Sequence, residues 1–309
     1  MRLITYVPIA PNSTSTARPG VVLGDETVVD VAALIPEVGQ RDMVLLIHML
    51  SEDPGLFERL RTAAASPTGG GVPLAHVRML APIPRPRRNV FCVGWNYSEH
   101  FQEGANLRAA QGDASQPAIP EYPALFSKNP ATVTGPDSNV LFPAPTSEQL
   151  DWEVELAVIV GRPGHDIRES ESMKHVFGYT CANDVSVRDV QRRHGGQWFK
   201  GKNFDTHLPM GPWIVTADEL DASALRVRTR VNGVTKQDSN TRFMVFKIPR
   251  LVSEFSVGCR LEAGDIMITG TPEGVGFARK PPEFMKIGDV VEVEIEGIGV
   301  LRNRVQGRT

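Results

Sequence analysis

Cysteine is scarce in this chain: Cys92, Cys181 and Cys259 are the only three in 309 residues. They lie far apart, are odd in number and form no C-x-x-C pair, which argues against a disulfide framework and a zinc knuckle. A reduced, cytoplasmic setting is expected. No apolar stretch approaches the ~20 residues of a membrane span. The opening MRLITYVPIAPNSTSTARPG has no basic region leading into a long apolar run, so no signal peptide is expected. Charge of one sign is also missing: 33 Lys and Arg against 36 Asp and Glu leave a net charge of -3. That excludes the basic footprint of a nucleic-acid binder. There is no βαβαβ alternation, so a doubly wound sheet is a poor fit. The loop ITGTPEGVGF, with Gly270, Gly274 and Gly276, matches neither the Walker loop nor G-x-G-x-x-G. It reads as a tight, backbone-exposing loop beside a ligand, or as a plain turn.

What is present is ordinary globular composition, 41% hydrophobic and 22% charged. Leu3–Val7 is a short apolar run, and VVLGDETVVDV reads as a hairpin turning near Gly24. Helical stretches follow around Met43–Leu50 and Gly55–Ala65. The Pro/Gly-rich tract from Ser66 through Pro86 marks a boundary, giving a small N-terminal domain at 1–80 and a main domain at 81–309. Beyond it, short apolar runs bounded by Gly, Pro and Asp predict a strand-dominated body. Ser170–His175 and Lys247–Phe255 are its better helix candidates. Phe101–Tyr122 is polar and aperiodic, and reads as a long loop that can act as a lid.

The segment LDWEVELAVIVG carries the sharpest chemical signal. Residues two apart on a strand share a face, so Glu153 and Glu155 sit side by side, followed by Ala157 and Ile159. Two like charges running into an apolar interior are costly. A divalent cation resolves the conflict, and an all-oxygen site suits Mg²⁺, Mn²⁺ or Ca²⁺ better than zinc. The alternative is a solvated strand face, as expected for Glu292, Glu294 and Glu296 in DVVEVEIEG. Asp184 ends the apolar run GYTCAND; it is a third ligand candidate or a helix cap. Arg188 and Asp189 could form a structural ion pair. In NYSEHFQEG, His100 and Glu103 are one helical turn apart, and such a pair can activate a water. A routine surface histidine would look the same. Lys200 and Lys202, set among Trp198 and Phe204, could bind a carboxylate or enolate, or line an exposed basic loop.

Together CVGWNYSEH, LFSKNPAT, LDWEVELAVIVGR, GYTCANDVSVRDVQ, KGKNFDT and ITGTPEGVG, in this order from about residue 88 onward, resemble the fumarylacetoacetate hydrolase family. The resemblance implies an α+β, β-rich fold with a mixed β-roll or sandwich catalytic domain, Mg²⁺ or Mn²⁺, and a homodimer. It implies Glu153, Glu155 and Asp184 as metal ligands and His100 with Glu103 as the water-activating pair. Lys202, Arg188 and Gln191 would contact the substrate or its enolate, with Lys128, Thr206 and Thr271 in lesser site positions. Trp95 stands where relatives vary and could touch the substrate. The function expected is hydrolysis of a C–C bond in a 2,4-dioxo acid, an acylpyruvate or a fumarylacetoacetate-like compound. The alternatives are decarboxylation, tautomerisation or isomerisation of oxaloacetate or a related 2-oxo acid, and a non-catalytic relic that binds metal and acid.

Overall fold

The computed structural model describes residues 1–9, 16–24, 27–67, 69–110 and 120–308, with the backbone alone for 105–110. In chain order its main elements are β1 (Arg2–Pro8), β2 (Arg18–Leu23), β3 (Thr27–Asp30), α1 (Met43–Glu52), α2 (Pro54–Ala65), β4 (Val90–Gly94), α3 (Ser98–Ala110) and β5 (Ala124–Lys128). They continue with β6 (Val154–Val160), β7 (Val176–Asn183), α4 (Arg188–Arg193), α5 (Phe199–Lys202), β8 (Leu208–Thr216), β9 (Arg226–Val231) and β10 (Val234–Asn240). Last come α6 (Ile248–Ser256), β11 (Ile266–Ile268), β12 (Val290–Ile295) and β13 (Gly299–Gln306). The class is α+β and sheet-rich.

One sheet of twelve strands runs Val72–Pro73, β3, β2, β1, β8, β7, β6, β11, β4, β5 along its main path. A five-stranded sheet runs β10, β9, β12, β13, Asn139–Leu141. The long path has a simple origin. β1 pairs antiparallel with β8, Leu3 opposite Ile214, so the N-terminal hairpin continues the sheet of the main body. Leu3, Leu46, Ile47 and Leu60 share one apolar core with Ala157, Ile159 and Ile268. The boundary expected at residue 80 therefore falls inside a common sheet and a common core. Helices α1 and α2 start where Asp42 and Asp53 accept hydrogen bonds from Leu45 N and Leu56 N, the usual stabilisation of a free helix start.

β6 is buried on both faces. Ala157 and Ile159 enter the core just described. Val154, Leu156, Val158 and Val160 enter a second core with Leu251 and Val252 of α6 and Val293 of β12. The period-2 alternation in the sequence thus separates two apolar environments. α6 presents Ile248, Leu251, Val252 and Phe255 inward, a helical stripe.

Several expectations shift. Ser170–His175 lies within a 3₁₀ helix, Glu169–His175. The acidic face of β12 is half-buried and cross-linked: Glu294 pairs with Arg228 and Arg230, and Glu292 with Arg230. Part of the expected lid is helical, because α3 runs on to Ala110. Residues 111–119 of that stretch lie outside the described residues. Among the described residues no helix is long and apolar enough to cross a membrane.

Candidate active site

The antiparallel register sets the site. Val154 of β6 faces Asn183 of β7. One step further, Asp184 N donates to Glu153 O at 2.9 Å, so the residues just outside the paired ends meet. Glu155 points to the same face two residues on. Oxygens of Glu153, Glu155 and Asp184 come within 4.8 Å of one another, and all three side chains are buried.

Three cations surround these acids. Lys202 Nζ, on the short helix α5, lies 2.6 Å from Glu153 Oε2 and 2.6 Å from Asp184 Oδ2. Lys128 Nζ, at the end of β5, donates to Asp184 Oδ1 at 2.7 Å and to Val185 O at 3.2 Å. Arg188 opens α4 and reaches Glu153 Oε1 at 2.6 Å and Asp151 Oδ2 at 2.7 Å. The structural pair expected with Asp189 is not formed; Asp189 pairs with Arg193, one turn along α4. Asp151 is the acid that sequence reasoning passed over. It sat on the same strand face as the two glutamates, and that was the available signal.

Four carboxylates thus face three cations, and Glu155 has no ion pair among the described residues. Its Oε2 accepts from Gly270 N at 2.6 Å. Burial, then Asp184 and Glu153, push its carboxyl well above the usual range. Burial also opposes ionisation of Glu153, but Lys202 and Arg188 outweigh it and hold that carboxyl below its usual range. Burial lowers Lys128 despite Asp184. For Lys202 burial works the same way, but Asp184 and Glu153 overcome it and raise the ammonium. A hard divalent cation fits this surplus of buried oxygen donors.

The glycine loop serves the site through its backbone. Gly270 N donates to Glu155, Gly274 N to Glu103 Oε1 at 2.9 Å, and Gly276 N to Asp151 Oδ1 at 2.7 Å. Glu103 in turn holds His100: Oε2 lies 3.3 Å from Nδ1. Both sit on α3, one turn apart, so Nε2 is the nitrogen left for chemistry.

A cavity of about 290 Å³ opens over this floor. His100, Glu153, Glu155, Arg188, Gln191, Lys202 and Thr271 line it, together with Trp95. Gln191 Oε1 accepts from Arg188 Nη1 at 3.3 Å, and Thr271 Oγ1 accepts from Gln237 at 2.8 Å. Lys128 and Asp184 lie beneath the lining, fully buried. Thr206 is placed elsewhere: it is not part of the lining, and its hydroxyl accepts from Leu141 N at 2.8 Å. Phe126, Arg192, Trp198 and Phe277 also contribute to the wall. No local motif marked them for this place, although Trp198 stood out as an aromatic neighbour of Lys202.

Residues 89–306 match the model of the fumarylacetoacetate (FAA) hydrolase C-terminal domain. A mitochondrial oxaloacetate tautomerase of Rattus norvegicus is 46% identical over 76% of this chain and 71% of its own length. An oxaloacetate tautomerase of Bacillus subtilis is 43% identical, over 75% and 74%. Among solved structures, a fumarylacetoacetate hydrolase from Exiguobacterium antarcticum superposes with a TM-score of 0.78 at 35% identity, covering 99% of this chain and all of that one. Maleylpyruvate hydrolase from Sphingobium, solved with manganese(II) and pyruvate, gives 0.77 at 29% identity over the full length of both chains.

The tautomerase relatives overturn the expectation of a C–C hydrolase, acylpyruvase- or fumarylacetoacetase-like. The expectation rested on the His100–Glu103 pair as an activator of water. Such a pair can also move a proton to or from carbon, so the motif does not select hydrolysis. With the matched domain spanning most of the chain and these relatives and folds agreeing, the chain belongs to the fumarylacetoacetate hydrolase family.

Proposed function

We propose that this protein is a metal-assisted tautomerase that interconverts the enol and keto forms of oxaloacetate or a close 2-oxo acid. One observation carries the reading beyond the relatives: His100, oriented through Nδ1 by Glu103, faces the same small cavity as Glu153 and Glu155. Tautomerisation needs one proton moved between C3 and the C2 oxygen, and charge stabilised on that oxygen meanwhile. Glu153, Glu155 and Asp184 would hold Mg²⁺ or Mn²⁺; the manganese in the maleylpyruvate hydrolase structure supports a metal of this kind. When bound, that ion supplies Lewis-acid polarisation of the 2-oxo group. His100 Nε2 gives or takes the C3 proton. Lys202 and Arg188 place positive charge beside the developing enolate oxygen, and Gln191 and Thr271 orient the substrate carboxylate. Lys128 fixes Asp184 from below. Aromatic walls keep bulk water from the enolate. A homodimer belongs to the proposal from the family resemblance, and a cytoplasmic location from the three free thiols.

The test follows the ultraviolet absorbance of enol-oxaloacetate as it ketonises, with protein plus Mn²⁺ or Mg²⁺ against protein plus EDTA. Decay faster than buffer is expected with metal, and His100→Ala should slow it by about 10²–10⁴-fold. Decay at the buffer rate with either metal, in a protein shown to bind Mn²⁺, would falsify the reading.

A further inference from the structure

The cavity wall holds two features that the proton transfer does not use. The first is aromatic. Trp198 immediately precedes α5, one turn before Lys202, whose amide donates to Trp198 O at 3.2 Å. Its ring packs over Gly94 so closely that a β-carbon there would lie 2.2 Å from Cζ3 and 2.6 Å from Cη2. No larger residue at 94 leaves the indole in place. Trp95 meets it edge-on at 4.8 Å and 78°, and Phe126 at 5.3 Å and 69°. Trp95 itself has φ 55, a left-handed backbone that a bulky residue adopts only when its surroundings require it. Phe101 braces it from α3 at 5.9 Å. A strained edge-on tryptophan, a second edge-on ring and a glycine without room for a side chain all serve to hold one indole across the cavity.

The second feature is charge. Arg188 and Arg192 stand one turn apart on α4, over the ring of Phe277 at 4.4 and 5.6 Å. Arg188 is already paired with Asp151 and Glu153. Arg192 is solvent-exposed, has no ion-pair or hydrogen-bond partner among the described residues, and contributes to the cavity lining. An exposed guanidinium at the edge of a small cavity can receive a second carboxylate without first giving up a partner.

We propose that Trp198 and Arg192 select the substrate: the indole wall limits its length, and the guanidinium receives a distal carboxylate, so the site takes short 2-oxo dicarboxylates and turns away 2-oxo acids with long apolar tails. This rests on the tautomerase reading for the reaction, but the recognition can be measured without turnover. The cavity lies near the lower end of ligand-pocket volumes, about 300 Å³, consistent with a small acid.

Calorimetric binding to the Mn²⁺-loaded protein separates the parts. One series is pyruvate, 2-oxobutanoate, 2-oxohexanoate and 2-oxooctanoate. The wild type should gain nothing as the chain grows. Trp198→Ala should gain up to about fourfold per added methylene, with oxalate affinity within twofold of wild type. Gly94→Ala displaces the indole without deleting it and should move the series the same way, which keeps the test open should Trp198→Ala not fold. The other pair is malate and lactate, which differ by the distal carboxylate. Arg192→Gln should weaken malate by about tenfold or more, as for a lost charged hydrogen bond, and leave lactate unchanged. Wild-type affinity rising with chain length, or both wall variants keeping the wild-type profile, would overturn the length limit. Equal loss of malate and lactate, or loss of neither, would overturn the role of Arg192. If these shifts appear while enol-oxaloacetate decays at the buffer rate, the recognition stands and the reaction assignment alone fails.

Discussion

Glu155 decides the character of the site. It is 2% exposed, neighbours two other carboxylates and, among the described residues, has only a backbone amide to accept from. A buried carboxylate so placed costs stability until a cation or a proton joins it. Glu155→Gln keeps the shape and removes the charge, so two opposite effects are expected. In EDTA the variant should melt no lower than the wild type. With Mn²⁺ at a hundredfold over its dissociation constant, the wild type should gain about 2.7 kcal/mol and the variant should gain nothing. Thermal denaturation of both proteins in both conditions reads this out. A variant that keeps the full Mn²⁺ response would remove Glu155 from the ligand set.

At the scale of elements, the site is an agreement between a strand end, a helix and a loop. Gly274 is constrained in both backbone conformation and space. Its φ is +94, a β-carbon would lie 2.3 Å from Lys236 O, and its amide holds Glu103. Gly274→Ala should cost at least about 1–2 kcal/mol from the left-handed backbone alone. It should also slow enol ketonisation while sparing Mn²⁺ affinity, since Glu103 orients His100 and touches no proposed ligand. Lost Mn²⁺ affinity with unimpaired turnover would contradict that division. The strand and the dyad were legible in the sequence because their signals are local. Glu153 and Glu155 obey the strand period, and His100 and Glu103 the helix period. The pairing of Lys128 with Asp184 or Arg188 with Asp151 was not, because 56 and 37 residues separate the partners. The loop announced itself as glycine-rich, but donated amides have no residue type, so their acceptors could not be named. The extent of helix α3 beyond Glu103 was missed because its polar run shows no apolar stripe. The hydrolase expectation failed for a different reason: the same acids and dyad serve several fates of one enolate.

At the scale of the molecule, the first eighty residues and the rest share a sheet and a core. Leu46, on α1, is fully buried in that core beside residues of the main body. Leu46→Ala should destabilise by about 2–5 kcal/mol. The loss should appear in one transition, with far-ultraviolet dichroism and the fluorescence of the site tryptophans Trp95 and Trp198 moving together. If dichroism fell first while the tryptophan signal held, the N-terminal segment would be melting alone. The same construction bears on β6. Seven residues at about 3.3 Å each make a beam clamped along both sides by different apolar masses, with Glu155 near one end. A clamped beam bends little, so the proposed ligand positions are stiff and nearly immune to small changes of sequence around them. What remains adjustable is whatever lies off the beam: α3 and the aromatic wall. Diversity of reaction in chains built this way should therefore collect in those attachments, leaving the beam as common hardware.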